Sequence, residues 1–392
     1  MSWPIVNLGE ISERVDYGLT ASAVEKADGP RFLRITDMQD DTVDWDSVPS
    51  CECSVREYEE NKLAVGDIVF ARTGATTGKS YLVRDLKSSA VFASYLIRVR
   101  PSQKVDSIYL SHFFKSPMYW HQITSMANGA AQPGVNSSKL KELEIPLPPL
   151  PEQKRIAAIL DKADAIRRKR QQAIQLADDF LRAVFLDMFG DPVTNPKGWP
   201  VKSLKDVSTK IGSGSTPRGG SEAYLEQGIS LIRSLNIHDD EFRLKNLACI
   251  DDEQAEKLSN VVVQNEDVLL NITGASVCRC AVVPAAVLPA RVNQHVCIIR
   301  PSGLIHSSYL LHLLISAPYK QKLLKMSGAG ATREALTKQQ VELLEIPLPP
   351  KDLQAKFEGI KAKVKNLASS SESFKEESVF ESLSDKAFSG QL

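Results

Sequence analysis

Short apolar, β-branched stretches separated by Gly, Asp and Pro alternate with longer stretches of helical spacing, and the alternation occurs twice along the chain. DIVFA (Asp67–Ala71) and YLIRVR (Tyr95–Arg100), then DVLLNI (Asp267–Ile272) and HVCIIR (His295–Arg300), predict strands, because such side chains pack well on a pleated, half-buried surface. A helical patch follows each pair, over Ser107–Ser125 and Ser307–Met326, broken near Pro117 and Pro318. EIPLPP then forces an extended exit in both places, since proline fixes φ and disfavours the α region in the residue before it.

After each exit the apolar spacing changes to three and four. Ile156, Leu160, Ala163, Ile174, Ala177, Leu181, Val184 and Met188 fall in that rhythm between Pro151 and Phe189, with Arg167 and Arg170 interrupting the seam. Pro151 suits a helix start, and Gly190 with Pro192 a stop. Leu353, Phe357, Ile360, Val364, Leu367 and Phe374 repeat the rhythm between Lys351 and Phe388, ahead of Gly390. A helix of this length spans about 55 Å at about 1.5 Å per residue, too long to bury its stripe on one domain of ordinary diameter. The two stripes are therefore expected to pack on each other as a coiled coil through Ile156, Leu160, Ile174, Leu181, Val184, Leu353, Phe357, Ile360, Val364 and Leu367. Each buried Leu or Ile there contributes roughly 1.5–3 kcal/mol.

The doubling is an internal repeat. LEIPLPP at Leu143–Pro149 returns at Leu344–Pro350. WPIVNLGEI from Trp3 answers WPVKSLKDV from Trp199, and FLRITDM from Phe32 answers LIRSLNI from Leu231. GDIVFARTGAT from Gly66 answers EDVLLNITGAS from Glu266, and VRPS from Val99 answers IRPS from Ile299. The expected fold is mixed α/β (α+β): two similar globular domains, residues 1–150 and 191–350, separated by helices over 151–190 and 351–392. The copies differ at the second exit, which reads PPKDLQAKFEGI instead of PPLPEQKRIAAI. A two-residue insertion is read between Lys338 and Ile346 relative to Lys139 and Ile145.

Composition narrows the class. With 392 residues, 43% hydrophobic and 24% charged, the chain suits two soluble domains plus connecting elements. No apolar run approaches the roughly 18 residues needed to span a bilayer, and MSWPIVNLGE lacks a basic-then-apolar signal, so a cytoplasmic location is expected. The cysteines at 51, 53, 249, 278, 280 and 297 fit neither a zinc knuckle nor a disulfide framework and are expected to be reduced and mostly half-buried. Net charge is zero but unevenly spread. Val268 to Arg333 holds no acid, against Arg279, Arg291, Arg300, Lys320, Lys322, Lys325 and Arg333. Leu86 to Lys141 holds only Asp106, against Lys87, Arg98, Arg100, Lys104, Lys115, Lys139 and Lys141. Acids gather in Asp37–Asp46 and Glu57–Glu60. Two basic zones in a neutral chain suggest a phosphate-tracking surface, or else ordinary solvated faces.

ARTGATTGKS, residues 71–80, imitates a phosphate loop, but a Walker A motif needs four residues between its first Gly and Gly-Lys. Only Ala75, Thr76 and Thr77 separate Gly74 from Gly78, and the second copy, NITGASVCRC, has no Gly-Lys-Ser. There is no acidic Walker B partner, no Asn/Asp-Pro-Pro-aromatic methyltransferase motif and no G-x-S-x-G; the histidines at 112, 121, 238, 295, 306 and 312 have no metal spacing. No catalytic constellation is evident, and no metal site is expected.

WPxxxLxxI, GDIxFxRTG, EIPLPPLPEQKRIAAILDKADAIRRKR, the FGDP exit before Trp199 and the terminal AFSGQL together resemble the specificity subunit of type I restriction-modification systems over essentially the whole chain. That resemblance implies two target-recognition domains, a pseudo-two-fold repeat and two conserved helices forming an antiparallel coiled coil. Each domain would read one half of a split double-stranded DNA target, and the helices would set the unread spacer. The subunit itself would be non-catalytic and bind no cofactor. Methyltransferase (M) subunits, expected as two, would dock on it and hold S-adenosylmethionine, and restriction (R) subunits would use ATP and Mg. The variant second exit implies unequal docking of the two M subunits.

Residue types suited to phosphates and base edges give the contact candidates: Arg34, Arg72, Thr73, Thr76, Lys79, Gln132 and Asn136 in the first copy. Arg233, Thr273, Arg279, Asn293, Gln294, Thr332 and Arg333 follow in the second. For each of these a plain surface or turn role competes, and the shared TGA turn has a structural reading because Gly tolerates positive φ. Two rivals stand beside DNA reading: a coiled-coil interaction scaffold that does not touch DNA, and a P-loop nucleotide-binding protein.

Overall fold

The β-branched stretches of both copies form strands, and they pair in the same order. The computed structural model describes residues 3–25, 28–39, 41–127, 134–216, 220–328, 334–369 and 376–392. It divides into one unit of Met1–Gln171 with Glu372–Leu392 and another of Gln172–Ser371. In the first unit an antiparallel sheet runs Ser12–Tyr17, Leu96–Pro101, Ile68–Ala71, Ser80–Leu82. In the second unit the order is Ser208–Ser213, Val296–Pro301, Val268–Asn271, Cys280–Val282.

A second sheet is built around a parallel pair, Arg31–Leu33 with Ala90–Phe92 in the first unit. Its counterpart, Ile229–Ile232 with Ala290–Val292, is widened by Ala248–Ile250 and Val262–Val263 to four strands. The extended exits are edge strands: Glu144–Pro146 pairs with Ile5–Asn7, and Glu345–Pro347 with Val201–Ser203. The predicted helical patches appear as Ser107–Phe113 and Pro117–Ala127, and as Ser307–Ile315 and Ala317–Gly328.

Buried polar side chains recur at matching places. Arg100 Nε donates to Asp67 Oδ1 at 2.7 Å, and Arg300 Nε to Asp267 Oδ1 at 2.8 Å. Tyr109 Oη donates to the Pro146 carbonyl, and Tyr309 Oη to that of Pro347. At the helix starts, Gln153 Oε1 accepts the Asp106 N–H at 2.8 Å and its amide donates to Pro148 O at 2.8 Å. Gln354 does the same with the His306 N–H and Pro349 O, both at 2.9 Å. The divergent PPKDLQ exit therefore keeps the buried amide that anchors its helix.

The insertion also needs correcting. Asn136 and Thr337 are N-caps of Ser137–Lys141 and Lys338–Glu342 and stand equally far ahead of Glu144 and Glu345. The second copy has one extra residue, not two, and it lies earlier, between Tyr319 and Thr337.

One long helix runs over Leu150–Phe189, contributing its first part to the first unit and the remainder to the second. The second helical region is described as Lys351–Ser369 and Glu376–Ser389, and Phe374 lies outside the described residues. In the first unit Arg155 Nη2 donates to Leu392 O at 2.9 Å, and the Arg167 guanidinium lies 5.8 Å from the Phe380 ring centre, so the paired segments run antiparallel. In the second, Phe185 and Phe189 each pack against Phe357 at 5.6 Å, and Asp178 lies in the field of Lys365 further along, again antiparallel.

The apolar stripe is shared out differently from the expected seam. Ile156 and Leu160 are buried in the first unit's core with Tyr109, Phe113 and Phe388, while Phe357, with Val184 and Leu353 beside it, packs into the core of the second. Large aromatic side chains on each domain reach the helix ends, so a domain does absorb part of a stripe too long for it alone. Leu181 is buried, Ile174, Ile360 and Val364 are half-buried, and Leu367 is 76% exposed, so Leu367 is not a packed seam position. Arg167, one of the two expected interruptions of the seam, binds buried Asp164 together with its neighbour Arg168; burial would raise the Asp164 carboxyl, but these hydrogen bonds hold it below its ordinary value.

Candidate nucleic-acid interface

The strands of each unit end in a cluster of loops held by main-chain hydrogen bonds. In the first unit Ser94 N–H donates to Leu19 O at 2.9 Å, Ala93 N–H to Leu33 O at 3.0 Å and Val135 N–H to Arg72 O at 2.9 Å. In the second, Asn293 N–H donates to Ile232 O at 3.1 Å, Gly214 N–H to Asn293 O at 3.2 Å and Leu336 N–H to Ile272 O at 2.8 Å. The approach is close enough to require glycine. A Cβ at Gly18 would meet Phe92 O at 2.1 Å, and one at Gly214 would meet Val292 O at 1.8 Å.

Several of the sequence-predicted contacts lie on these two clusters. Arg34 and Arg233 each open a short 3-10 turn, but the turns carry different charge. Arg34 is ion-paired with Asp37 at 2.7 Å. Arg233 has Asn236 in that place, so its guanidinium lies 4.8 Å from the centre of the Tyr224 ring, with Nη2 on Asn246 O at 2.5 Å. Arg72 lies 4.9 Å from the centre of the Tyr17 ring. The Tyr17 phenol accepts the Ser137 N–H at 3.1 Å, and that hydrogen bond holds its pKa below the ordinary value. Thr73 bridges to Gly134, and Thr273 to Ala335.

The other candidates differ in place and role. Asn136 is exposed, but its Oδ1 caps the following helix by accepting Lys139 N–H at 2.8 Å. Asn293 is buried and accepts His295 N–H on Oδ1 at 3.1 Å, so it frames the turn and does not face out. Gln294 is exposed at the apex of that turn. Arg279 lies apart from the cluster, donating to His238 Nδ1 at 3.3 Å. Gln132, Thr332 and Arg333 lie outside the described residues.

Thr76 and Lys79 sit on the turn between Ile68–Ala71 and Ser80–Leu82, with Thr76 half-buried and Lys79 exposed. In that turn Gly78 N–H returns to Ala71 O at 2.9 Å, and Cys278 N–H to Asn271 O at 2.8 Å in the second unit. Gly74 and Gly274 take φ of 81° and 77°, a conformation costly for other residues. Both turns join antiparallel strands, whereas a phosphate loop must lead from a strand into a helix. The turn frame is thus common to both units, and Walker A geometry is absent from it.

The basic zones prove largely neutralised. Arg98 pairs with Asp16 at 2.5 Å, Lys115 with Asp41 at 2.8 Å and Lys87 with Asp46 at 2.5 Å. Arg291 is buried on backbone carbonyls, and Lys322 meets Glu345 at 3.0 Å. Sequence-distant acids fold onto these cations, so charge runs alone do not outline a phosphate surface. Four of the six cysteines are buried and two half-buried, more enclosed than expected. Among the described residues no group of three or more His, Cys, Asp or Glu could hold a metal, and no helix is long and apolar enough to cross a membrane.

Tyr17, Tyr95, Thr216, Tyr224 and His295 are the cluster members that residue type did not suggest. Aligning the copies offers a signal for Tyr95 and His295: YLIRVR opens with Tyr95 where HVCIIR opens with His295, so strand frame is kept while an exposed or half-buried side chain changes.

The family described as “Type I restriction modification DNA specificity domain” matches residues 2–176 and 196–360. The chain is 25% identical over 339 residues to the type I restriction enzyme MjaIX specificity subunit of Methanocaldococcus jannaschii, covering 79% of this chain and 72% of that one. It is 24% identical over 198 residues to the EcoKI specificity subunit of Escherichia coli, covering 48% and 43%. The crystal structure of the type I restriction-modification S subunit from M. genitalium superposes with a TM-score of 0.61 at 13% identity, covering 100% of this chain and 96% of that one, and shows the same fold. Two matching units with duplicated strand order, anchored helices and loop clusters, together with these matches, establish that the chain belongs to the type I restriction-modification DNA specificity family.

Proposed function

We propose that each unit of this DNA sequence-specificity subunit reads one half of a split duplex target through its strand-end loop cluster. One observation carries the proposal: the same main-chain frame in both units presents different side chains, Tyr17, Arg72 and Tyr95 in one, Thr216, Gln294 and His295 in the other. A constant frame with variable polar tips suits two independent base-edge readings, with phosphate contacts supplying position.

The chain is a non-catalytic member of its complex. The antiparallel helical segments serve in this proposal as the coiled-coil spacer between half-targets and as the docking frame for two M subunits, in a pseudo-two-fold arrangement. S-adenosylmethionine belongs to those subunits, and ATP and Mg to R subunits. A cytoplasmic location follows from this role.

Binding of the assembled complex to duplex DNA, measured against salt, tests the proposal. Phosphate contacts release counterions, so affinity should fall steeply as salt rises, by roughly 1000-fold or more between 50 and 200 mM if about six phosphates are held. A flat response would favour a scaffold that does not touch DNA.

A further inference from the structure

We propose that Gln294 reads one adenine in the half-target of the second unit, its amide held in a fixed orientation by Thr216 and His295; this rests on the half-target reading above. Gln294 stands at the apex of the turn between Ala290–Val292 and Val296–Pro301, exposed, while the turn beneath it is immobilised. Buried Asn293 is tied through its N–H to Ile232 O, through its carbonyl to Gly214 N–H and through Oδ1 to His295 N–H.

The amide itself belongs to a chain of hydrogen bonds. The Thr216 hydroxyl donates to Gln294 Oε1. Gln294 Nε2 donates to His295 Nε2 at 3.1 Å. His295 therefore carries its proton on Nδ1, which donates to Thr273 Oγ1 at 2.5 Å. A primary amide has two N–H donors and two oxygen lone pairs. With one of each engaged, Gln294 keeps one donor and one acceptor. Adenine presents the complementary pair in the major groove, the N6 amino donor and the N7 acceptor, whereas guanine presents two acceptors there. His295 is a positioning residue: without it the amide can turn over and exchange its donor and acceptor. The first unit has Ser94 and Tyr95 at these positions, so the device belongs to one half of the target.

The test uses the complex assembled with its methyltransferase subunits, bound to duplexes carrying randomised half-targets, with the retained sequences read. Gln294→Ala should remove the preference at a single adenine position, lowering discrimination there roughly 10- to 100-fold, and leave every other position of both halves unchanged. His295→Phe should relax that same position, and His295→Asn, which retains a donor and an acceptor, should restore part of the preference. An unchanged target for Gln294→Ala, a relaxed position that is not adenine, or loss of the whole half-target would overturn the assignment. A wild-type complex that selects no sequence at all would instead overturn the half-target reading itself. Gln294 is exposed, so an unchanged melting temperature for its variant checks that the fold is intact.

Discussion

The indole Nε1 of Trp3 donates to the carbonyl of Ala387 at 3.2 Å, joining the first strand region of the chain to its last helix. Trp199 repeats the bond in the second unit, where its Nε1 donates to Phe189 O at 2.9 Å. Each domain is therefore closed by the end of a helix that follows the other copy's exit. Phe388 sits 5.4 Å from Tyr109 and 5.3 Å from Phe113, and Phe189 sits 4.7 Å from Tyr309, so both closures are aromatic and buried.

Phe388→Ala should destabilise the first unit by about 3–5 kcal/mol, the usual range for truncating a buried Phe, and leave the second intact. Phe357→Ala, at the start of the second helical region, should do the reverse. Hydrogen exchange resolved by peptide checks both. Loss of protection spreading equally over both units would contradict separate closure.

Much of this architecture was legible from the repeat. The strand stretches, helical patches and Pro-rich exits reflect local period and proline stereochemistry, which tertiary contacts did not override. The fate of the helix stripe was not legible, because spacing says that Ile156 or Phe357 is buried but not which surface buries it. Charge was misleading for the same reason: Arg98 and Lys115 stand in an acid-poor run, yet Asp16 and Asp41 reach them through the fold. On the candidate interface, residue type pointed to Arg72, Thr273 and Gln294, but not to His295, whose interest lies in its bonds to Thr273 and Gln294.

His312 makes the second unit sensitive to acid. Burial first, then Lys361, drives its pKa down to about 4, against the opposing pull of Asp240; Lys365 adds to the depression, and Phe185 and Phe357 pack on the ring. The unfolded chain, with an ordinary histidine, binds the extra proton between about pH 6.5 and 4. Stability is thus fully present above about pH 6.5 and declines as pH falls towards 4, by at most about 3 kcal/mol. His312→Gln should flatten that slope in denaturant titrations of the second unit across this window. A wild-type stability that rises on acidification would contradict the assignment.

Lys79 carries a prediction against the P-loop rival. Because its turn leads into the strand Ser80–Leu82, ATP alone should leave the melting temperature of the chain unchanged. A shift of several degrees that Lys79→Ala abolishes would restore the nucleotide-binding reading.

The most direct measurement is the genomic motif that gains methylation when the chain is expressed with its methyltransferase partners, compared with the motif obtained after replacing Gln294 and His295. The account predicts a motif in two parts with a fixed unread gap, one part changed by the substitutions and the other kept. A continuous motif without a gap, or changes appearing in both parts together, would contradict two independent reading units.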